Sequence, residues 1–326
     1  MMFHSPTKVA QILLKCISFF LVFLILLCVM SPFFIPKNND ENSGIKSYWS
    51  RGFYGEPKNS LEVISIGNSN MFSGFSPMEL WKLYGYTGYN CGESGQTIFE
   101  AYNILSEVLT CQKPNVVVLD ADGIFPTGGH MDTYYQFLDF NLDRIFPMMY
   151  YHSRWKTIQL NETMQASKYT WTCPTRGYLY NDRVKPFSGH RPKMNNPAAD
   201  RFSAVTKFQL ETFQNLCKNS NVRLVLVYIP TAYSWDQTRH DLMAEYASAH
   251  NIPFIDLNTS TDGFQIDWEK DTLDGGTHLN YFGAKRVTQF IGAYMHQHYY
   301  LSDYRKNTNF LRWNMDYEKY INEVKQ

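Results

Sequence analysis

A serine hydroxyl is a weak nucleophile until a base takes its proton, and a histidine oriented by a carboxylate is the usual base. Two segments of this chain supply those groups. Gly67-Asn68-Ser69 ends the apolar run Leu61–Ile66, and Asp274-Gly275-Gly276-Thr277-His278 follows far downstream. A strand that stops on Gly-x-Ser puts a hydroxyl on a tight turn at the carboxyl edge of a sheet, where open α/β folds build their sites. His278 sits in a glycine-containing loop just before a helix, so its ring can swing toward a neighbouring strand edge. A third stretch, Asn90-Cys91-Gly92-Glu93-Ser94-Gly95-Gln96-Thr97, leads into another helix. Its glycines let backbone N–H groups approach a ligand, and a helix N-terminus favours developing negative charge. Together these groups fit acyl transfer through a serine ester, with backbone donors and the Ser69 N–H receiving the oxyanion.

Other titratable side chains offer less. His296 and His298 stand two apart on a helix and face different directions. His130, His152, His190, His240 and His250 lack ligand-like partners, and the spacing of Cys91, Cys111, Cys173 and Cys217 matches no zinc pattern. No metal site and no cofactor are implied. Disulfides among these cysteines would be permitted outside the cell, but the sequence selects no pairing.

The elements that must position the site alternate. The pattern predicts strands at Leu61–Ile66, Gly88–Cys91, Val116–Ala121, Val222–Ile229 and Pro253–Leu257. It predicts helices at Pro77–Tyr84, Gln96–Cys111, Ala204–Lys218, Asp241–His250 and Asn280–His298. VVVLDA at 116–121 is apolar up to its aspartate, which suits a parallel strand covered on both faces. The expected fold is a three-layer α/β/α sandwich around a mainly parallel sheet. Residues 125–200 break the rhythm and are rich in Tyr, Phe, Trp, Arg and Pro. They read as an insertion over the sheet edge, a lid or substrate wall, with helices near Thr133–Phe146 and Ser153–Ala166. The tail 301–326 reads as a peripheral helix with Phe310, Leu311, Trp313 and Tyr317 on one side.

The chain has 326 residues, 44% of them hydrophobic, enough for one substantial core at 61–300. Lysine plus arginine balance aspartate plus glutamate at 30 each, which argues against nucleic acid as a partner. Residues 16–35, CISFFLVFLILLCVMSPFFI, are long enough to cross a bilayer core. They are too long for a usual signal-peptide core, and Pro32 follows the one small residue, Ser31, where cleavage would need a small-x-small site. The expectation is an uncleaved single-pass anchor. Lys8 and Lys15 lie on its amino-terminal side, so residues 1–15 should be cytoplasmic and the rest extracytoplasmic. Residues 36–60 are polar, punctuated by Pro, Gly and Asn, and read as a linker.

GNSN at 67–70, NxxxSGQT over 90–97 and DGGTHLNYFGA at 274–284 resemble the SGNH/GDSL hydrolase superfamily over most of residues 61–298. With the N-terminal anchor, the chain looks more like its membrane-anchored branch, which includes proteins of the teichoic-acid D-alanylation protein D type and alginate O-acetyltransferase-like proteins. The resemblance implies an SGNH/flavodoxin-like fold, Ser69 as nucleophile, His278 as general base and Gly95 as an oxyanion donor. Two departures stand out. The third block of the family carries an Asn in Gly-x-Asn-Asp, whereas Leu119-Asp120-Ala121-Asp122-Gly123 has none. The family spacing is Asp-x-x-His, whereas Asp274 lies four residues before His278, leaving Asp271 as the alternative acid. Asn68, Asn70, Gln96, Arg176 and Tyr178 are the candidate substrate-binding side chains. The expected activity is transfer of an acyl group, acetyl or D-alanyl, to or from an envelope polysaccharide or teichoic acid. The resemblance also implies a multi-pass acyl carrier of the MBOAT class as partner. A surface carbohydrate esterase and a non-catalytic scaffold are the alternatives.

Overall fold

A computed structural model describes residues 6–125, 130–163, 165–189, 202–234, 236–259 and 264–324. Five strands, β1 (Val63–Ile66), β2 (Gly88–Asn90), β3 (Val116–Asp120), β4 (Arg223–Tyr228) and β5 (Phe254–Asp256), form one sheet in the order β2-β1-β3-β4-β5. Every neighbouring pair is parallel. The helices are α1 (Pro6–Phe34), α2 (Ser69–Gly74), α3 (Pro77–Tyr84), α4 (Ile98–Val108), α5 (His130–Ile145), α6 (Pro147–Tyr150), α7 (Leu160–Thr163), α8 (Ala204–Asn219), α9 (Gln237–His250), α10 (Tyr281–His298) and α11 (Leu311–Val324).

Alternation along the strands builds the layers. Ile64, Ile66, Val117, Leu119, Leu224 and Leu226 pack on one face with residues of α4, α8 and α9. Val63, Val116, Val118, Val225 and Val227 pack on the other with residues of α2, α3 and α10. This is the α/β/α sandwich, with both faces of a parallel sheet covered as that sheet requires. The chain runs from β1 outward to β2 and then returns to β3 on the other side of β1. The order therefore reverses between β1 and β3, and a crevice opens at their carboxyl ends.

Several expectations need correction. A short helix, α2, begins on Ser69 itself, where the sequence pattern suggested only a turn. Ser153–Ala166 is not one helix but a 3₁₀ turn, His152–Lys156, followed by α7. Residues 36–60 do not dangle. A 3₁₀ helix over Tyr48–Gly55 buries Ser50, Arg51, Gly52 and Phe53, and Arg51 pairs with Glu93 and Glu107. In the tail, Trp313 and Tyr320 are buried but Leu311 is exposed, so the inward face is rotated from the one expected. All six cysteines are free.

Helix α1 extends past the expected anchor at its amino-terminal side. Its stretch Lys8–Phe34, 27 residues holding an 18-residue window of mean hydropathy 3.0 with none of that window buried, is long and apolar enough to cross a membrane; near its end Ser31 is buried. Arg154 ties down its end by donating to the Phe34 carbonyl at 2.6 Å and pairing with Glu162 at 2.5 Å.

Candidate active site

The turn after β1 is tight because Gly67 passes the next strand closely. A Cβ on Gly67 would lie 2.5 Å from Asp120 Cβ. The loop after β2 grips this turn at both peptide groups: Gly67 N–H donates to Gln96 Oε1 at 2.9 Å, and Glu93 N–H donates to Gly67 O at 3.1 Å. Asn68 caps α2 by accepting from Asn70 N–H at 2.9 Å. Ser69 is the first helical residue, where a backbone N–H has no intrahelical acceptor.

His278 arrives from the loop before α10. Thr272 and Leu279 bridge its two arms, and Leu273 N–H donates to His278 O at 3.0 Å. Asn280 fixes the base of the loop, its amide donating to Lys270 O at 2.7 Å while its carbonyl oxygen caps α10. Gly275 and Gly276 have φ of +88° and +105°, backbone that L side chains rarely adopt. These two left-handed residues let the loop bulge, so the extra residue between acid and histidine is absorbed.

Asp274 therefore reaches the ring. His278 Nδ1 lies 2.6 Å from Asp274 Oδ2, and His278 Nε2 lies 2.8 Å from Ser69 Oγ. Asp274 Oδ1 also accepts from His278 N–H at 2.9 Å and Thr277 N–H at 3.2 Å. Burial pushes the Asp274 carboxyl up, but hydrogen bonds from the His278 ring and backbone outweigh it and hold it below the usual carboxylate value. A charged carboxylate can only accept, so Nδ1 carries the proton and the Nε2 lone pair faces Ser69. The alternative acid, Asp271, is turned away. It is buried, accepts from Asp267 N–H at 2.9 Å and pairs with Arg286 at 3.1 Å.

Asp122 occupies the position where the resembled family has an asparagine. Its Oδ2 accepts from the side-chain amides of Asn68 at 2.5 Å and Asn70 at 3.3 Å, and Arg239 stands 4.0 Å from Oδ1. Burial raises the Asp122 carboxyl above its ordinary value despite these partners. Burial, together with the charge of Asp122, raises the neighbouring Asp120 still further. Two buried carboxylates this close resist carrying two charges, and the Asn68 and Asn70 amides occupy Asp122 Oδ2.

The candidate binding residues divide. Asn68 borders a cavity of about 500 Å³ beside the nucleophile, together with Gly95, Asp122, Tyr233 and Arg239. Its amide, like that of Asn70, is engaged by Asp122. Gln96 spends its amide on Gly67 N–H and, at 3.1 Å, on the Cys91 carbonyl, so it braces the turn. Arg176 and Tyr178 are not at the site. Arg176 is fully buried, paired with Glu56 at 3.1 Å and Asp316 at 2.9 Å, with its guanidinium 4.4 Å from the Trp313 ring centroid. Tyr178 is buried edge-on to Tyr320. Neither side chain lines the cavity.

The insertion nevertheless meets the site. Thr133 and Gln136 of α5 wall the cavity. Lys185 O accepts from Gly275 N–H at 3.0 Å, which steadies the histidine loop. Residues 126–129, 164 and 190–200 of the insertion lie outside the described residues. Sequence reasoning also missed the segment after β4. Tyr233 and Ser234 line the cavity, and Tyr233 Oη donates to Gly275 O at 3.0 Å. The rule that marked the end of β1 as a site edge applies equally to β4 and would have found them. Gly95, with φ +65° and open space where a Cβ would stand, faces the cavity, and its N–H has no protein acceptor among the described residues.

No family model and no curated protein sequence matches the chain. Among solved structures, it is similar to a GDSL-like lipase from Bacteroides thetaiotaomicron at 14% identity and TM-score 0.37, covering 73% of this chain and 89% of the other. It is also similar to a lipase/acylhydrolase from Enterococcus faecalis at 13% identity and TM-score 0.39, covering 74% and 99%.

Proposed function

We propose that the protein is a membrane-anchored serine enzyme of SGNH type that moves an acyl group, acetyl or D-alanyl, to or from an envelope polysaccharide or teichoic acid. The observation that carries this reading is the relay of Ser69 Oγ, the His278 ring and Asp274 at 2.8 and 2.6 Å. His278 Nε2 takes the Ser69 proton as Oγ attacks an ester or thioester carbonyl. Asp274 holds the tautomer and stabilises the imidazolium. The oxyanion rests on the N–H groups of Ser69 and Gly95, both free of protein acceptors among the described residues. The tetrahedral adduct collapses, His278 returns the proton to the leaving oxygen or sulfur, and an ester on Ser69 remains. A carbohydrate hydroxyl, or water, then accepts the acyl group by the same steps in reverse. The helix α1 holds the domain outside the membrane, and an MBOAT-class carrier supplies the acyl group.

One observation favours a second reading, a surface carbohydrate esterase. The side chains of His278 and Asp274 are 26% and 37% exposed, so water reaches the relay. Two measurements on the full chain test these readings. A fluorophosphonate should label wild type and not Ser69→Ala; absence of labelling on the folded wild-type protein sinks the enzyme reading and leaves a scaffold. Polymer-bound ester in cells carrying Ser69→Ala should fall below wild type for a transferase. A rise would instead establish the esterase.

A further inference from the structure

Helix α5 is apolar on two opposite faces. Its inner face packs Phe137 and Phe140 against Phe99 of α4, with ring centroids 6.0 and 5.7 Å away. Its outer face carries Met131, Tyr134, Tyr135, Leu138, Leu142 and Ile145, all exposed, with Met131 at 63% and Ile145 at 61%. At about 100° per residue these six fall within an arc of about 100°, uninterrupted by any charged or amide side chain. A helix on a water-facing surface places polar residues there, and a contiguous exposed apolar face marks a contact surface.

We infer that this outer face, continued by Met149 and Trp155, lies in the interfacial layer of the bilayer that α1 spans. The inference rests on the anchored reading above and deepens it. The occupant is identified by continuity. Helix α6, which directly follows α5, packs against α1. Ile35, just past α1, shares a cavity wall with Pro147, Tyr150 and Tyr151. Arg154, on the turn that carries Trp155, bonds the Phe34 carbonyl at 2.6 Å. The end of the apolar span is thus fixed to the segment in which the stripe ends. Trp155 is 67% exposed with the Lys156 ammonium 5.6 Å from its ring centroid. Exposed Trp and Tyr beside a basic group are the side chains that membrane interfaces favour. An uninterrupted apolar arc suits hydrocarbon better than a protein partner, whose interface would bring hydrogen bonds. The arc has no lysine or arginine, and Asp132, Asp139 and Asp143 share one flank. Adhesion therefore comes from apolar insertion and needs no anionic lipid.

Because Thr133 and Gln136 of the same helix wall the cavity beside Ser69, that cavity takes an acyl donor carried in the bilayer. The test uses the full chain in phosphatidylcholine vesicles, with a coumarin amino acid replacing Leu138 or, as control, the 92% exposed Tyr300. A nitroxide phosphatidylcholine should quench the probe at 138 about threefold or more over the probe at 300, with aqueous iodide giving the reverse order. Equal iodide quenching at both positions overturns the inference and leaves a face open for a protein; a probe at 138 reached by neither quencher indicates a second copy and overturns it too. The double variant Leu138→Asp, Leu142→Asp should keep fluorophosphonate labelling and p-nitrophenyl acetate hydrolysis while losing about tenfold on a nitrophenyl acetate whose ring carries a hexadecyl chain that holds it in the vesicles. Equal effects on both esters overturn the inference. Quenching needs no catalysis, so it fails or stands apart from the role of Ser69. Intact mass shows separately whether α1 is retained: quenching lost with α1 present sinks this inference alone.

Discussion

The loop 271–280 and the segment 173–189 run side by side, joined where Gly275 N–H meets Lys185 O. Both are rich in side chains capable of chemistry, and the fold uses them in opposite ways. In the loop, Asp274 and His278 point at Ser69 and remain partly open to solvent. In the neighbouring segment, Arg176 and Tyr178 point inward and are closed off completely. The difference lies in the backbone. Two left-handed glycines and the Asn280 cap commit the loop to one path that leaves the histidine at the strand edge. The segment is committed too, with Arg176 at φ +54° and Gly177 at φ +82°, but its path turns the arginine inward, where two buried carboxylates and Trp313 consume it. A reactive residue type carries functional meaning when the backbone around it is forced to present it.

If this contrast is right, the two regions fail differently. The largest effect is expected for Ser69→Ala and His278→Ala, each losing activity about ten-thousand-fold with the melting temperature little changed. The double variant should be scarcely worse than either, since the two act as one unit. A folded Ser69→Ala protein with most of its activity removes the loop from the chemistry and breaks the comparison.

Next is the choice between acids. Asp274→Asn should lose about a thousandfold or more in kcat, because the wrong tautomer then faces Ser69. Asp271→Asn should keep its rate and instead lower stability by roughly 1–3 kcal/mol, through a buried bond to Asp267 N–H and the pair with Arg286. Steady-state kinetics and thermal melts on the two proteins decide the matter; a rate defect confined to Asp271→Asn would reverse the assignment.

Arg176→Ala probes the other region. Removing one partner of a buried ion-pair network costs about 3–5 kcal/mol. Chemical denaturation should show that loss, while kcat per folded molecule stays near wild type. A normal melt with a raised KM would return Arg176 to the substrate and erase the contrast.

The same contrast explains what the sequence made legible. Strands that alternate toward two covered faces, and turns closed by Gly67 or capped by Asn280, leave local signatures in one chain. The strands and most helices of the sheet region were read within a few residues for that reason. The relay was legible as two motifs, though not as a distance, because only the sheet order brings their strand edges together. Burial of Arg51, Arg176 and Tyr178 was not legible. It depends on partners such as Glu93, Glu56 and Asp316, remote in sequence and marked by no spacing. Which of the two apolar faces of α5 meets the core was not legible either, since period alone cannot tell them apart.

The smallest effect expected separates two carboxylates by the sign of their pH dependence. Glu62 precedes β1 at the end opposite Ser69, accepting from Ser302 N–H at 3.0 Å and Asn115 at 3.3 Å. Burial pushes it up from an ordinary value of 4.5 to about 7. A carboxyl raised in the folded state binds more protons there than when unfolded, so its contribution to stability falls as pH rises from about 4.5 to about 7. Asp274 is depressed, so its contribution is whole above the ordinary aspartate value and fades only as pH falls below it. Between pH 5 and 8, then, Glu62 alone of these two tilts the stability curve. Melts across that window should show wild type losing stability toward pH 8, Glu62→Gln flattening the slope, and Asp274→Asn leaving it as steep as wild type. A Glu62→Gln protein with the wild-type slope would mean that the amino end of β1 is as open to water as the relay at its other end.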